Sequence, residues 1–199
     1  MPVPTLLLVR HGQTAWNIQR RVLGRTDIPL DETGTAQAID LPGRIGPVLA
    51  VWSSPLARAR QTAEPLATAT GVPVLFDHDL IEMDQGELEG LGDVDLLALH
   101  GDLVQAWRAD PGGLRLPGGE TMDEVADRAL AALNRIVGHN PTGRTAVVTH
   151  QLVLAATLCR LQGLPLSRWR HHTHPNTAWA EIEWGQAPRV VGMKIMTAS

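Results

Sequence analysis

The stretch TLLLVRHG, Thr5–Gly12, carries an apolar run from Thr5 to Val9 that stops at Arg10-His11-Gly12, and TAVVTH, Thr145–His150, repeats the pattern with a run that stops at His150. A short unbroken apolar run reads as a strand buried on both faces, as a parallel sheet covered by helices on both sides requires. Ligands of open α/β sheets collect beyond the carboxyl ends of the strands, so two such strands that each end in a histidine point to one shared site. Either histidine alone is as readily a capping or packing residue; the pair is more informative.

Working outward, Val48–Trp52 is a third strand. Ser53-Ser54-Pro55 then offers a hydroxyl N-cap and a proline at the first helical position of a helix over Leu56–Thr70, with Pro65 as a potential kink and Gly71 as its close. Val72–Phe76 is a further short strand. Thr121-Met122-Asp123-Glu124 is a capping box, after which Val125, Ala129, Ala132, Leu133 and Ile136 recur at helical spacing up to Gly138. A helix over Gln151–Gln162 follows the Thr145 strand, and Trp179–Trp184 with Val190–Met196 reads as a terminal hairpin. Strands alternating with helices imply an α/β fold with a mostly parallel sheet. Two stretches resist assignment. Pro42-Gly43 either kinks or breaks a helix over Thr33–Ile45, and Glu82–Gly119, with a helix around Asp93–Arg108, lacks a regular apolar period and reads as a substrate-side insertion.

With 199 residues, 44% of them hydrophobic, the chain has material for one well-buried core, and a single domain over residues 1–199 is expected. Lysine and arginine total 17 against 21 acidic residues, a net charge of −4, so no overall basic field is present to hold nucleic acid or an anionic membrane. Any anion site must be built locally. The single cysteine, Cys159, lies among apolar neighbours and reads as a buried small hydrophobe, which excludes an intrachain disulfide and argues against thiol catalysis. Leu6–Val9 is too short for a membrane span and no signal-peptide core precedes it, so a cytoplasmic location is expected.

Arg10 and His11 would face opposite ways in a continuing strand, but Gly12 lets the chain turn so that both reach one pocket, and it allows a phosphate near the backbone. Arg58, in the first turns of its helix, can fork onto two phosphate oxygens beside the helix's positive end. Two arginines can neutralise a dianion.

At these residues the chain resembles a family. LLLVRHGQTAWN at Leu6–Asn17 is similar to the RHG signature of the histidine phosphatase superfamily, which includes the cofactor-dependent phosphoglycerate mutases. PLDETGTAQA (Pro29–Ala38), SSPLARARQTAEPLA (Ser53–Ala67), LIEMDQGELEG (Leu80–Gly90), LPGGET (Leu116–Thr121) and VVTH (Val147–His150) follow in the family's order over most of the chain. The resemblance implies a three-layer α/β/α sandwich of the phosphoglycerate-mutase-like kind. It further implies that His11 takes the phosphoryl group as a phosphohistidine, that Arg10, Arg58, His150 and Asn17 hold the phosphate, and that Glu82 is the proton donor. No metal and no cofactor are implied.

Glu82 has acidic company in Asp84, Glu87 and Glu89, and only the motif lifts it above them. Arg60 reads as structural or solvent-facing, Arg25 as a loop arginine or a substrate contact. His171, His172 and His174 lack the spacing of a metal site and read as a wet loop, with His174-Pro175-Asn176-Thr177 bordering the pocket. The six tryptophans read as core and rim. Gln151 stands where many family members have glycine and could narrow the pocket or touch substrate.

The leading expectation is a phosphatase acting on a phosphomonoester of a small metabolite, because the segment after Glu82 is acidic through Asp93, Asp95 and Asp102. The resemblance implies that mutases of the family place length and basic residues there. A phosphoglycerate mutase is the alternative. A catalytically silent phospho-ligand module is the third reading, opposed by the retention of Arg10, His11, Arg58, Glu82 and His150. A homodimer is left open by family members that occur as monomers, dimers and tetramers; the substrate itself is not specified.

Overall fold

The computed structural model describes residues 3–194. Strands β1 (Thr5–Arg10), β2 (Ala50–Ser53), β3 (Val74–Phe76), β4 (Arg144–Thr149), β5 (Trp179–Glu183) and β6 (Arg189–Lys194) form one six-stranded sheet in the order β3-β2-β4-β1-β5-β6. The first four strands run parallel, while β5 is antiparallel to β1 and β6 to β5. The sheet is therefore mostly parallel, as expected, with the hairpin added at one edge.

Six α-helices accompany it: α1 (Ala15–Ile18), α2 (Glu32–Ile45), α3 (Ala57–Thr70), α4 (Asp93–Ala109), α5 (Met122–His139) and α6 (Gln151–Leu161). Alternate side chains of a strand face opposite ways. Leu7 and Val9 accordingly pack with Leu41 and Ile45 of α2 and with Ala63 and Leu66 of α3. Leu6 and Leu8 pack on the other face with Leu133 and Ile136 of α5 and with Leu154 and Leu158 of α6. This two-sided burial gives three layers, and it is why β1 reads as an unbroken apolar run.

Several boundaries differ from the sequence reading. Helix α2 runs unbroken through Pro42, with the Asp31 side chain capping Gly34 N–H at 2.7 Å. Ser54 is not the cap of α3: the helix begins at Ala57 behind Leu56, and the Ser54 hydroxyl lies 2.8 Å from His150 Nε2 instead. The Thr121 capping box forms as expected. In the hairpin, Lys194 is the last described residue of β6, and the expected extension to Met196 falls outside the described residues.

Between Glu82 and Gly119 the chain makes a short 3-10 turn at Gly86–Leu88 and then α4, whose backbone leaves helical geometry at His100. Val104 is the one buried residue of α4, and Leu96, Leu103 and Trp107 rest against a separate cluster around Met83, Leu88, Leu116 and Leu152. The break at His100 and this shallow docking explain the missing apolar period. Cys159 is buried in the same cluster, where burial pushes its thiol pKa up. Among the described residues no helix is long and apolar enough to cross a membrane.

Candidate active site

The site is a consequence of strand register. Arg10 pairs with Thr149 as the last partners of β1 and β4, and the His11 amide still donates to Thr149 O at 2.9 Å, so the two residues that follow leave the sheet side by side. The rings of His11 and His150 lie 5.2 Å apart, both buried. Ser54 leaves the end of β2, the other neighbour of β4, and reaches the same place. Three adjacent parallel strands thus deliver their next side chains to one point.

His11 Nδ1 lies 2.7 Å from Gly12 O, a carbonyl that can only accept, so Nδ1 carries the hydrogen and Nε2 keeps its lone pair. Burial first, then the charges of Arg58 and Arg10, hold the His11 pKa well below its ordinary value, and the ring is neutral. His150 is held low by burial and by Arg58 in the same way. Ser54 Oγ accepts the Leu56 amide at 3.3 Å and lies 2.8 Å from His150 Nε2; we assign its proton to that nitrogen, and in this tautomer His150 Nδ1 is an N–H donor. That Nδ1 is buried with no hydrogen-bond partner among the described residues.

Arg58 is fully buried; Nη1 and Nη2 donate to Thr26 O at 3.0 Å and Gly24 O at 2.7 Å. Its Nε has no partner among the described residues, and the same holds for Nε of Arg10. Arg10 Nη1 donates to Gln151 Oε1 at 3.2 Å and also to His174 O. Burial lowers the Arg10 pKa to about 10, opposed by the nearby Glu82. Three buried donors, one from each arginine and one from His150, therefore stand near the His11 ring with their hydrogens uncommitted, an arrangement suited to the oxygens of a tetrahedral anion.

Glu82 is buried, its carboxylate accepting Met83 N–H at 2.8 Å and Leu152 N–H at 3.3 Å. Burial raises its pKa, against the pull of the Met83 N–H and of Arg58. The segment that carries it is fixed by Arg128 of α5, which donates to the carbonyls of Asp79 and Ile81 at 2.7 Å each and of Glu82 at 3.1 Å, and forks onto Glu120. Nothing in the sequence marked Arg128: its spacing to Glu82 is long-range and it sits in an ordinary helical position. Arg128→Met leaves the carbonyls of Asp79, Ile81 and Glu82 without their donor and leaves Glu120 with Arg25 as its remaining cation. A loss of about 1–3 kcal/mol in urea unfolding is expected, the cost of leaving buried acceptors unsatisfied, and no measurable loss would contradict the buttress.

The other expected residues divide. Asn17 lines the cleft and is the N3 residue of the α1 capping box; its Oδ1 accepts from Thr14 N and Asn176 Nδ2, leaving the amide hydrogens to donate. At Gly12 a Cβ would come within 2.7 Å of Gly34 O, and its amide is given to Thr62 Oγ1 at 2.9 Å, so packing against α2 by itself requires glycine. Arg25 is not at the cleft, because its guanidinium pairs with Asp84 at 3.1 Å and Glu120 at 3.0 Å. Arg60 is half exposed and pairs with Glu64. Gln151 lines the cleft, but it also works as a clamp, accepting from Arg10 and from His174 N and donating to His172 O at 2.8 Å. The 174–177 segment does border the site, through His174 O on Arg10 and Asn176 Nδ2 on His11 O at 2.9 Å.

Arg10, His11, Asn17, Glu82 and Gln151 line a cleft of about 340 Å³, while Arg58 and His150 are buried outside that lining. A larger groove of about 590 Å³ between α2 and α3 has Glu64 as its one ionisable residue and none of this chemistry.

Comparisons with known proteins place the chain in a family. A probable phosphoglycerate mutase GpmB of Cronobacter sakazakii is 34% identical over 189 residues, 91% of this chain and 85% of that protein. The mycobacterial glucosyl-3-phosphoglycerate phosphatase, solved in complex with VO3, superposes with a TM-score of 0.84 at 30% identity over 98% of this chain and 99% of that one. A putative alpha-ribazole-5'-P phosphatase of Escherichia coli superposes with a TM-score of 0.85 at 26% identity, covering 98% and 100%. The sequence profile of the histidine phosphatase superfamily (branch 1) matches residues 6–194, and the chain belongs to that family.

Proposed function

We propose that the chain hydrolyses a phosphomonoester of a small metabolite through a phosphohistidine on His11, with Glu82 as the proton donor. The enzyme class, a phosphoric monoester hydrolase of the histidine phosphatase type, comes with the family. The observation that carries the mechanism is the neutral His11 ring, its Nδ1 tied to Gly12 O and its Nε2 free, beside buried donors from Arg10, Arg58 and His150. Nε2 attacks phosphorus, the bond to the ester oxygen breaks, and the Glu82 proton goes to that oxygen. Water then attacks the phosphohistidine, its proton passes to the Glu82 carboxylate, and orthophosphate leaves with both groups restored. The arginines and His150 meet the charge on the equatorial oxygens throughout.

A mutase is a second reading, favoured by the names of the GpmB relatives. It would have to keep the phosphoenzyme dry and rebind a phosphoacid, whereas the segment after Glu82 is acidic at Asp93, Asp95 and Asp102. Incubation with 3-phosphoglycerate, with and without a bisphosphoglycerate primer, separates the two. Hydrolysis releases orthophosphate regardless of primer. Primer-dependent formation of 2-phosphoglycerate with little free phosphate would overturn the hydrolytic reading.

A further inference from the structure

Resting on the hydrolytic reading, we infer that the cleft contains an apolar subsite built on Trp107 and Trp169, and that the preferred substrate is a phosphomonoester whose alcohol carries a flat apolar group. Away from the phosphate-facing residues the cleft is walled by Val22, Leu23, Leu152, Trp107 and Trp169. It is continuous with a second cavity of about 160 Å³, which shares Val22, Gln85, Trp107 and Trp169 with it and ends against Leu96 and Leu103 of α4. Trp107 comes from α4 and Trp169 from the 3-10 turn Leu166–His172, and their rings meet at 5.6 Å with a 60° tilt, both lining the two cavities.

One further fact separates this wall from ordinary core. The indole Nε1 of each tryptophan is buried with no hydrogen-bond partner among the described residues, although a buried tryptophan usually finds one. Beyond Arg10 the cleft holds Arg21, whose guanidinium lies over the Trp16 ring at 5.7 Å, and the adjoining cavity is edged by Arg108 and by Arg170, whose guanidinium lies over the Trp169 ring at 4.7 Å. A flat apolar group gains a wall here and displaces water from it.

Ethyl phosphate, 2-phenylethyl phosphate and 3-phosphoglycerate test this, since the two alkyl esters release alkoxides of similar basicity and differ in what reaches the wall. For the wild-type protein, kcat/KM is expected to be at least about tenfold higher for 2-phenylethyl than for ethyl phosphate, the size of one aromatic contact, with most of the gain in KM. Trp107→Ala and Trp169→Ala are each expected to bring that ratio down to about unity, and Trp169→Phe to keep most of it. Equal kcat/KM for the two alkyl esters, a preference for 3-phosphoglycerate, or a ratio that survives both alanine variants would overturn the subsite. Titration calorimetry with ethylphosphonate and 2-phenylethylphosphonate, which cannot be hydrolysed, makes the two failures distinguishable. If no ester is turned over but the phenyl compound binds about tenfold tighter, the hydrolytic reading fails and the subsite stands. Equal binding of the two phosphonates overturns the subsite whatever the catalysis.

Discussion

His11→Ala lowers turnover of p-nitrophenyl phosphate at least about 10⁴-fold, as removal of a covalent nucleophile does elsewhere, which at 1.36 kcal/mol per tenfold is about 5 kcal/mol of transition-state stabilisation or more. The loss is large because no other neutral nucleophile is placed to substitute. His150 is buried alongside, but its Nε2 is taken up by Ser54 at 2.8 Å. Stability should change little by comparison: the imidazole is neutral in the folded state and gives up one hydrogen bond, to Gly12 O, worth about 1 kcal/mol. Steady-state kinetics, a urea melt and an acid-quench assay for the acid-labile phosphohistidine check the three parts. Retained turnover by a folded variant would sink the nucleophile assignment, and a phosphoenzyme that still forms would place the covalent step on another residue.

How much of this was readable beforehand depends on whether the deciding contact is local or distant. β1 and β4 were legible because burial on both faces needs an apolar residue at every position from Leu6 to Val9 and from Ala146 to Val148, and the capping box at Thr121 was legible because its partners are three residues apart. The convergence of His11 and His150 could be inferred from strand ends, but the register that creates it, Arg10 opposite Thr149, joins segments far apart in the chain. Ser54 was misread for a physical reason: a serine before a helix has a cap within reach, and only the fold supplies the competing partner, His150. At Gly12 the sequence suggested a turn and room for phosphate, and the close backbone of Gly34 adds a packing reason that only the fold supplies. Arg128 left no trace because it binds carbonyls, which every residue possesses. Trp107 and Trp169 fell into the general expectation of core and rim, and it is the kinked, shallowly docked α4 that turns one of them toward the cleft.

Glu82→Gln carries the second large effect, and its dependence on the leaving group is the diagnostic part. The carboxyl is buried and its pKa is raised by that burial, so it holds its proton to higher pH than an exposed glutamate. Glutamine keeps the oxygen that accepts the Met83 amide but has no proton to give. For an alkyl phosphate, whose alkoxide is strongly basic, kcat/KM should fall by about 10²–10⁴, the usual worth of general acid catalysis. For p-nitrophenyl phosphate, whose phenolate leaves unaided, it should fall less than about tenfold, and phosphohistidine should accumulate because no base remains to take the proton of the attacking water. The pH profile has a matching sign. Glu82 must be protonated when the ester arrives, so wild-type kcat/KM for the alkyl ester declines as pH rises through a pKa above the ordinary carboxylate range, and that decline is absent in Glu82→Gln. His11 must be neutral, and because its pKa is held well below 6.5 its own limb lies far to the acid side. Equal losses on both esters, or an alkaline limb that persists in the variant, would move the acid role away from Glu82.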